Sequence, residues 1–391
     1  MPLKMRQEKS LAGEPKMHLS KLSIAALAAT ILAWPVSEAR ALDDWNTVLA
    51  KAREEGTVVV HGAPGKRYAE ALVGAFNKAH PDIRVQFSGA SGRVDTPKLL
   101  RERKANIYAW DVWISGPSTA VGRLKPLGVF QPLRQYLTKD TMDDKHWQGG
   151  FDAGWMDVEK KYYYTFDGTT QNPIQVNWDF VKKSSITSIK DLLKPEFAGK
   201  IVWDDPRFNG SGNGSSQTIY ENFGEDFLRA LYKQKIVFVT NRRQLAEWVV
   251  RGRYPIGIGV GENDLAVFQK QGLGKNVEPL PDSFYKIQQQ SSGFGALGVV
   301  DRAPHPNAAA VYVNWLLSKA GQEAWAGVPR NSRRVDVKPG DPTLAPRPGV
   351  TYFNGQEESR FKTRMRLQEI AKETITAEMP KKKKKRSKKK E

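Results

Sequence analysis

The sequence lacks cysteine altogether, and only five histidines occur among its 391 residues. The absence of cysteine excludes disulfide bonds, thiolate metal sites and cysteine nucleophiles, and it is compatible with export to an oxidising compartment. The histidines do not have the spacing of metal ligands, and phosphate-loop, zinc-protease and serine-hydrolase motifs do not occur. We therefore expect a protein that is not an enzyme and uses no cofactor. A secreted hydrolase is the less favoured alternative.

Long hydrophobic runs are also lacking. An apolar run at residues 22–34 is shorter than the roughly 20 residues that a membrane-spanning helix needs. Basic residues precede this run and a small-x-small triplet follows it at residues 39–41, as in a secretory signal peptide. We predict that residues 1–41 are removed and that the mature protein is periplasmic. Met17 is an alternative start of the chain.

Acidic residues are outnumbered, because 61 Lys and Arg face 42 Asp and Glu, which gives a formal net charge of +19. A lysine-rich block at residues 380–391 carries much of this excess. We expect a disordered tail there, since like charges repel one another and bury nothing, and a nuclear-import or nucleic-acid-binding segment is less favoured. No nucleic-acid partner is expected. The basic remainder of the chain is compatible with an anionic ligand.

Predicted strands and helices alternate along the first part of the chain. In order, they are a helix from Asp43 or Asp44 to Gly56, a strand at 57–61, a helix around 69–76, a strand at 83–87, a helix beginning at Thr96 and Pro97, and a strand at 111–114. This pattern predicts a doubly wound, mainly parallel sheet flanked by helices. Parallel strands bring their C-terminal ends to one edge, so the loops at 62–65, 88–92 and 115–118 should meet there.

A second α/β series follows an aromatic-rich segment at residues 141–180, which we interpret as a crossing between two lobes. Its predicted strands lie at 201–203, 236–240, 255–260 and 297–300, before helices at 307–325 and near 361–375. Gly293, Gly295 and Gly298 match a dinucleotide-binding spacing, but residues 288–292 before them do not predict a strand, which argues against that site. The predicted divisions are 42–165 for lobe 1, 166–290 for lobe 2, 291–345 for a return to lobe 1 and 346–379 for a C-terminal extension.

Residues 197–216 predict a buried strand, a glycine-rich loop and then a helix that Ser215 or Ser216 caps. Gly210, Gly212 and Gly214 would let the backbone approach a ligand closely, and the amides of a helix N-terminus attract phosphate or carboxylate groups. The stretch therefore predicts a site for an anion. A plain strand-to-helix connector is the alternative interpretation.

Aromatic residues suggest two other sites. The run Tyr162 to Tyr164 could supply phenolate ligands to ferric iron, although neighbouring strand residues face opposite sides, which favours a strand between core and surface. The clustered Trp and Tyr residues could instead form a cage for an amine cation beside Asp204 or Asp205. Packing in a hydrophobic core explains most of these aromatic residues equally well.

Three stretches together resemble one family: EGTVVVHG, EFAGKIVWDDPRFNGSG and APHPNAAAVYVNWLLSKAGQEAW. Over residues 45–336 the chain is similar to the bacterial extracellular solute-binding proteins of ABC importers, in particular the ferric-iron-type branch with the type II periplasmic binding protein fold. The resemblance implies two α/β lobes, a ligand in the cleft between them, and closure that presents both lobes to a membrane permease. The tyrosine pair of the ferric-binding members is missing, because residues 257–264 contain none.

We therefore expect a monomeric binding protein for a small polar, anionic solute, with a permease of the inner membrane as its partner. Ferric iron or an amine cation such as a thiamine-like or polyamine-like solute is the alternative ligand. The candidate ligand-binding residues are Pro64, Ser88, Gly89, Ser91, Ser115, Ser118, Asp205, Arg207, Gly210, Ser211, Gly212 and Glu262.

Overall fold

The computed structural model describes residues 44–90 and 92–377, all within one compact unit. The predicted signal peptide, Ser91 and the lysine-rich tail lie outside the described residues. Within those residues, no helix combines the length and the apolar character that crossing a membrane requires.

The strands, in chain order, are β1 (Thr57–Gly62), β2 (Arg84–Gly89), β3 (Val112–Ile114), β4 (Tyr164–Thr165), β5 (Thr170–Gln171), β6 (Ile174–Asn177), β7 (Ile201–Asp204), β8 (Val237–Val239), β9 (Ile256–Ile258), β10 (Val277–Pro279), β11 (Gln288–Gln290), β12 (Ala296–Val299) and β13 (Tyr352–Asn354). The helices are α1 (Trp45–Glu55), α2 (Lys66–Ala69), α3 (Ala75–Ala79), α4 (Gly92–Lys104), α5 (Pro117–Thr119), α6 (Ser211–Tyr232), α7 (Arg242–Val250), α8 (Glu262–Gln269), α9 (Pro306–Leu317), α10 (Lys319–Ala326) and α11 (Phe361–Ala377). A π-helical segment, Glu70–Gly74, joins α2 to α3.

Lobe 1 is built on a sheet of order β2-β1-β3-β12-β4, in which β1 runs parallel to β2 and β3 while β12 is antiparallel to both of its neighbours. Both faces of the sheet are buried: Val58 and Val60 pack into one hydrophobic cluster, and Trp113 and Ala296 pack into another. Strands buried on both faces need continuous apolar runs, which explains the VVV of β1.

Lobe 2 is built on a second sheet of order β10-β6-β9-β7-β8, also covered on both faces. Strand β7 is parallel to β8 and β9, and β6 is antiparallel to β9. Helix α11 packs along α6 and adds Leu367 and Ile370 to the core of this lobe. The α/β prediction is confirmed for both lobes. Each sheet is mixed, because it contains antiparallel as well as parallel strand pairs.

The two lobes are joined by a small sheet of order β13-β11-β5. Strand β5 lies between β4 of lobe 1 and β6 of lobe 2 in the chain, β11 lies between β10 and β12, and β13 precedes α11. Strand β11 is antiparallel to β5 and parallel to β13. We call this the interlobe sheet.

Helix ends differ from the sequence prediction in several places. Asp44 caps α1 as expected, since its side chain accepts hydrogen bonds from Asn46 N and Thr47 N, and Gly56 ends the helix at φ 63°. Helix α4, however, begins at Gly92, and Pro97 lies inside it at the cost of one backbone hydrogen bond. The predicted helix at 307–325 is two helices, because the backbone of Ser318 is extended and its side chain caps α10.

Candidate functional site

A cavity of about 440 Å³ opens where loops from both lobes face the interlobe sheet. Its volume lies in the range of small-molecule binding sites. The lining residues are Tyr68, Ser115, Gly116, Ser118 and Thr119 from lobe 1, Asn209 to Ser211, Gly214, Ser215, Arg242 and Gly259 to Glu262 from lobe 2, Gln171, Asn172, Gln289 and Ser291 at the interlobe sheet, and Gly293, Phe294, Arg330, Gln356 and Arg364.

Five of the predicted site residues lie on this cavity: Ser115, Ser118, Gly210, Ser211 and Glu262. Ser115 and Ser118 follow β3. This strand lies next to β12, which directly follows β11 of the interlobe sheet in the chain, so the two serines lie close to that sheet. Strand β2 is at the far edge of the same sheet, and Ser88 and Gly89 at its end do not line the cavity.

The other predicted residues that the structure describes, Pro64, Ser88, Gly89, Asp205, Arg207 and Gly212, do not line the cavity. Pro64 is exposed in the loop after β1. Ser88 donates a hydrogen bond to the buried carboxylate of Asp95 over 2.7 Å, and the same oxygen lies 2.9 Å from Nδ1 of His61. The polar side chains at the ends of β1 and β2 thus take part in a buried hydrogen-bonded cluster in lobe 1.

Arg207 was expected to bind an anion, but its guanidinium group is already paired. Its Nε lies 2.8 Å from Oδ1 of Asp205, and its Nη2 lies 2.5 Å from Oδ2 of the same carboxylate. The Asp205 side chain is 5% exposed. Because this two-pronged pair uses the planar edge with which arginine recognises anions, the placement does not support a role for Arg207 in ligand binding.

The start of α6 also differs from the prediction. Gly210 caps the helix without a side-chain bond, and Ser215 and Ser216 lie inside it. The Asp204 carboxylate accepts hydrogen bonds from Gly212 N over 2.8 Å and from Ser211 Oγ over 2.9 Å. A protein carboxylate thus already occupies the position at this helix end that the sequence suggested for a ligand anion.

Gly212 is required for packing. A Cβ atom at this position would lie 1.6 Å from the carbonyl oxygen of Asp204. Gly259, at the end of β9, has φ +74°, and a Cβ there would lie 2.9 Å from Gly212 N. The two glycines let the ends of β7 and β9 pack directly against the first turn of α6, which holds the neighbouring Ser211 at the cavity.

Arg330 is a cavity residue that the sequence analysis missed. Its Nε lies 2.7 Å from Oδ2 of Asp167, and its Nη2 lies 3.0 Å from Oδ1 of Asp167 and 2.8 Å from the carbonyl oxygen of Ser291. Burial opposes the charge of Arg330, but the Asp167 carboxylate raises its pKa above the ordinary value. The guanidinium group is therefore fixed in orientation beside the interlobe sheet and stays charged.

Arg364 reaches the cavity from α11, outside the predicted lobes. Its Nη1 donates to Ser118 Oγ of lobe 1 over 2.6 Å, and its Nε donates to Asn213 Oδ1 of lobe 2 over 3.3 Å. Among the described residues, no carboxylate forms a salt bridge with it. Burial lowers the pKa of this guanidinium group. Arg364 is thus a half-buried cation between the lobes, and its side-chain hydrogen bonds within the described residues go to neutral groups.

Two further charged residues line the lobe 2 side. Arg242 forms a salt bridge of 3.1 Å with Asp264, and its side chain is 54% exposed. Glu262 is the one acidic residue among the lining residues named above, and its Oε1 lies 3.5 Å from Asn172 N. Burial raises the pKa of the Glu262 carboxyl, while hydrogen bonds and the two arginines Arg330 and Arg242 act in the opposite direction.

The rest of the lining consists of hydroxyl and amide side chains, glycines, Val260 and one aromatic pair. The ring centroids of Tyr68 and Phe294 are 6.0 Å apart in an edge-to-face arrangement. In helix α6, Gln217 is fully buried, and neither polar atom of its side chain has a hydrogen-bond partner among the described residues. Such a lining suits a charged solute that also carries hydrogen-bonding groups.

The aromatic residues that suggested iron or amine sites lie elsewhere. Tyr163 is fully buried and its OH accepts a hydrogen bond from Ser115 N, while Tyr164 OH accepts one from Arg333. Burial raises the pKa of both phenols well above the usual value, so neither forms a phenolate readily. Trp147 and Trp155 pack in the core of lobe 1. None of these residues lines the cavity. Within the described part of the chain, no three His, Asp or Glu residues form a group that could hold a metal ion.

Few features of the sequence indicate that Arg330 and Arg364 line a binding cavity. Arg330 follows a predicted helix in an irregular segment, and Arg364 lies on a predicted amphipathic helix. The pairing of Arg364 with Ser118 spans 246 residues of sequence, which local patterns do not report.

Comparison with known proteins identifies relatives of the chain. A family model described as bacterial extracellular solute-binding protein matches residues 71–331. A protein from Haemophilus influenzae, described as uncharacterized, is 24% identical over 288 residues, which are 71% of this chain and 78% of that protein.

Solved structures share the fold. FutA (IdiA) from Trichodesmium, in complex with iron and citrate ligands, has a TM-score of 0.62 and 18% sequence identity, with 82% of this chain and 99% of that chain covered. The periplasmic binding protein AfuA from Actinobacillus pleuropneumoniae, with exogenous fructose-6-phosphate bound, has a TM-score of 0.55 and 20% identity over the same shares. Both are periplasmic-binding-protein folds, which confirms the two-lobed class predicted from the sequence.

Proposed function

This chain belongs to the bacterial extracellular solute-binding proteins, as predicted, and we propose that it captures a small anionic solute in the periplasm and delivers it to the membrane permease of an ABC importer. The proposed solute carries a phosphate or carboxylate group. It binds in the 440 Å³ cavity between the lobes, where residues from both lobes and from α11 can contact it together.

The observation that carries this proposal is the charge of the cavity wall. Arg330 is neutralised by Asp167, and Arg242 is neutralised by Asp264. Arg364 has no such partner within the described residues, although burial makes its isolated charge costly. An anion in the cavity would supply the missing counter-charge and would receive charge-assisted hydrogen bonds.

The Arg364→Gln variant tests the proposal. Calorimetric titrations would use phosphate, sulfate, acetate and citrate, together with any solute identified by native mass spectrometry of the periplasmic protein. Losing a hydrogen bond to a charged group costs about 1.5 to 3 kcal/mol, which corresponds to roughly a ten- to hundredfold loss of affinity. Arg366→Gln is the matched control, because Arg366 lies two residues away on α11 and pairs with Glu225 and Glu373 away from the cavity. Equal affinities of the two variants and the parent would contradict the proposal.

A second candidate ligand is a ferric carboxylate complex. Tyr68 and Glu262 both line the cavity, and they offer two oxygen ligands beside the arginines that would hold the carboxylate. The pKa of Tyr68 is raised above its ordinary value, because burial outweighs the opposing charge of Arg330 nearby, so the metal itself must displace the phenol proton. Titration with ferric citrate should then produce a visible phenolate-to-iron absorption band that Tyr68→Phe abolishes. Binding of citrate alone with equal affinity, and without such a band, would favour the plain anion.

A further inference from the structure

A second cavity, of about 430 Å³, adjoins the first on the far side of Arg364. The two cavities share four lining residues: Ser118, Thr119, Asn209 and Arg364. We call the second one the outer cavity. The two cavities are similar in size, and the four shared residues form the wall between them. One of these residues, Arg364, also belongs to the proposed anion site.

The chemistry of the outer cavity differs from that of the inner one. Phe361 and Met365 of α11 give it an apolar wall, and the Met365 side chain is 63% exposed. Arg123 adds a cation on the lobe 1 side, and none of the described residues that line this cavity is acidic. An apolar group would therefore be sheltered there, a further negative charge would be tolerated, and an ammonium group would be opposed by Arg123 and Arg364.

We infer that the outer cavity is a second subsite for the same solute, and that the solute is an elongated organic anion. This inference rests on the proposed function. The anionic head binds between Arg364 and Arg330, and an apolar or aromatic substituent extends past Arg364 against Phe361 and Met365. A simple inorganic anion would occupy the inner cavity only and would leave Phe361 and Met365 in contact with water.

Pairs of probes that share a head group test the inference. Inorganic phosphate is compared with phenyl phosphate, and acetate with phenylacetate, by calorimetric titration of the full chain. We expect the phenyl group to raise affinity about tenfold, which is about 1.4 kcal/mol. Phosphoethanolamine, which carries a cationic substituent instead, should bind less tightly than phenyl phosphate.

The Met365→Trp variant assigns the position of the substituent. The larger side chain fills part of the outer cavity from an exposed position on α11, so folding should be retained, and thermal unfolding checks this. The variant should keep the affinity for phosphate and lose the gain from the phenyl group. Met365→Ala is the matched control that leaves the outer cavity open. It should keep the affinity for phosphate and most of the phenyl gain, and lose only the part that contact with Met365 contributes.

The possible outcomes distinguish the outer subsite from the proposed function. A phenyl gain that Met365→Trp leaves intact would place the substituent elsewhere and overturn the inference. Binding of the simple anions without any phenyl gain would overturn the inference while leaving the proposed function standing. Failure of every anionic probe would reject both.

Discussion

Replacement of Glu262 by glutamine should strengthen binding of an anionic solute. The Glu262 carboxylate lines the cavity and is half-buried. A sphere of 440 Å³ has a radius of about 5 Å, so an anion at its centre lies roughly 6 Å from the carboxylate. At an effective dielectric constant of about 20, two unit charges at that distance repel by about 3 kcal/mol, and contact with solvent reduces this. We therefore expect Glu262→Gln to raise affinity about tenfold at neutral pH.

The pH dependence gives an independent check of the same residue. Burial raises the pKa of Glu262 above its ordinary 4.5, and a bound anion raises it further, so binding takes up a proton. The affinity of the parent should rise as the pH falls toward that raised pKa, and Glu262→Gln should not show this component. Titrations of both proteins at pH 7.5 and 5.5 with one probe remove the contribution of the probe's own ionisation. Weaker binding by Glu262→Gln at neutral pH would refute the reasoning and indicate a cationic ligand.

Three further outcomes follow from the structure. Gly212→Ala should destabilise the protein by about 2 to 3 kcal/mol in denaturant unfolding, because its Cβ meets the carbonyl oxygen of Asp204, whereas Gly74→Ala, with open space around it, should be close to neutral. Truncation after Met379 should leave affinity unchanged in calorimetry, and a tenfold loss would place the tail at the cavity. Small-angle scattering should give a smaller radius of gyration with ligand, since a solute held by both lobes favours the closed state, and an unchanged radius at saturation would indicate a rigid receptor.

The fold could be predicted from the sequence where burial dictates residue type. The VVV of β1 is apolar on both faces because helices cover both, and Asp44 and Gly56 marked the ends of α1 by their own local chemistry. Strand β11 could not be found in this way. Its sequence is three consecutive glutamines, which show no apolar alternation, and its strand pairing depends on β5 and β13 far away in the chain.

The site was predictable only as far as the strand order determines it. The rule for parallel strands led to Ser115 and Ser118, which line the cavity because they follow a strand near the interlobe sheet. That they bind a ligand stays a prediction. The positions of Arg207 and Arg364 could not be predicted from strand order or local sequence patterns. Arg207 stands in a glycine-rich stretch that suggests anion binding, yet the carboxylate two residues before it takes its hydrogen bonds. Arg364 stands on an ordinary helix, and only tertiary packing brings it to the cavity, where no carboxylate of the described residues pairs with it.

The way in which the chain completes each lobe has a consequence for folding. Strand β12 is inserted between β3 and β4 although it follows them by more than a hundred residues, and the core of lobe 2 is completed by Leu367 and Ile370 of α11. Neither sheet can reach its final packing before the later parts of the chain are available. Such long-range pairing makes folding slow, because the chain must lose the entropy of closing long loops before the stabilising contacts can form. Folding of a newly made chain would therefore be completed only after nearly all of it has been synthesised.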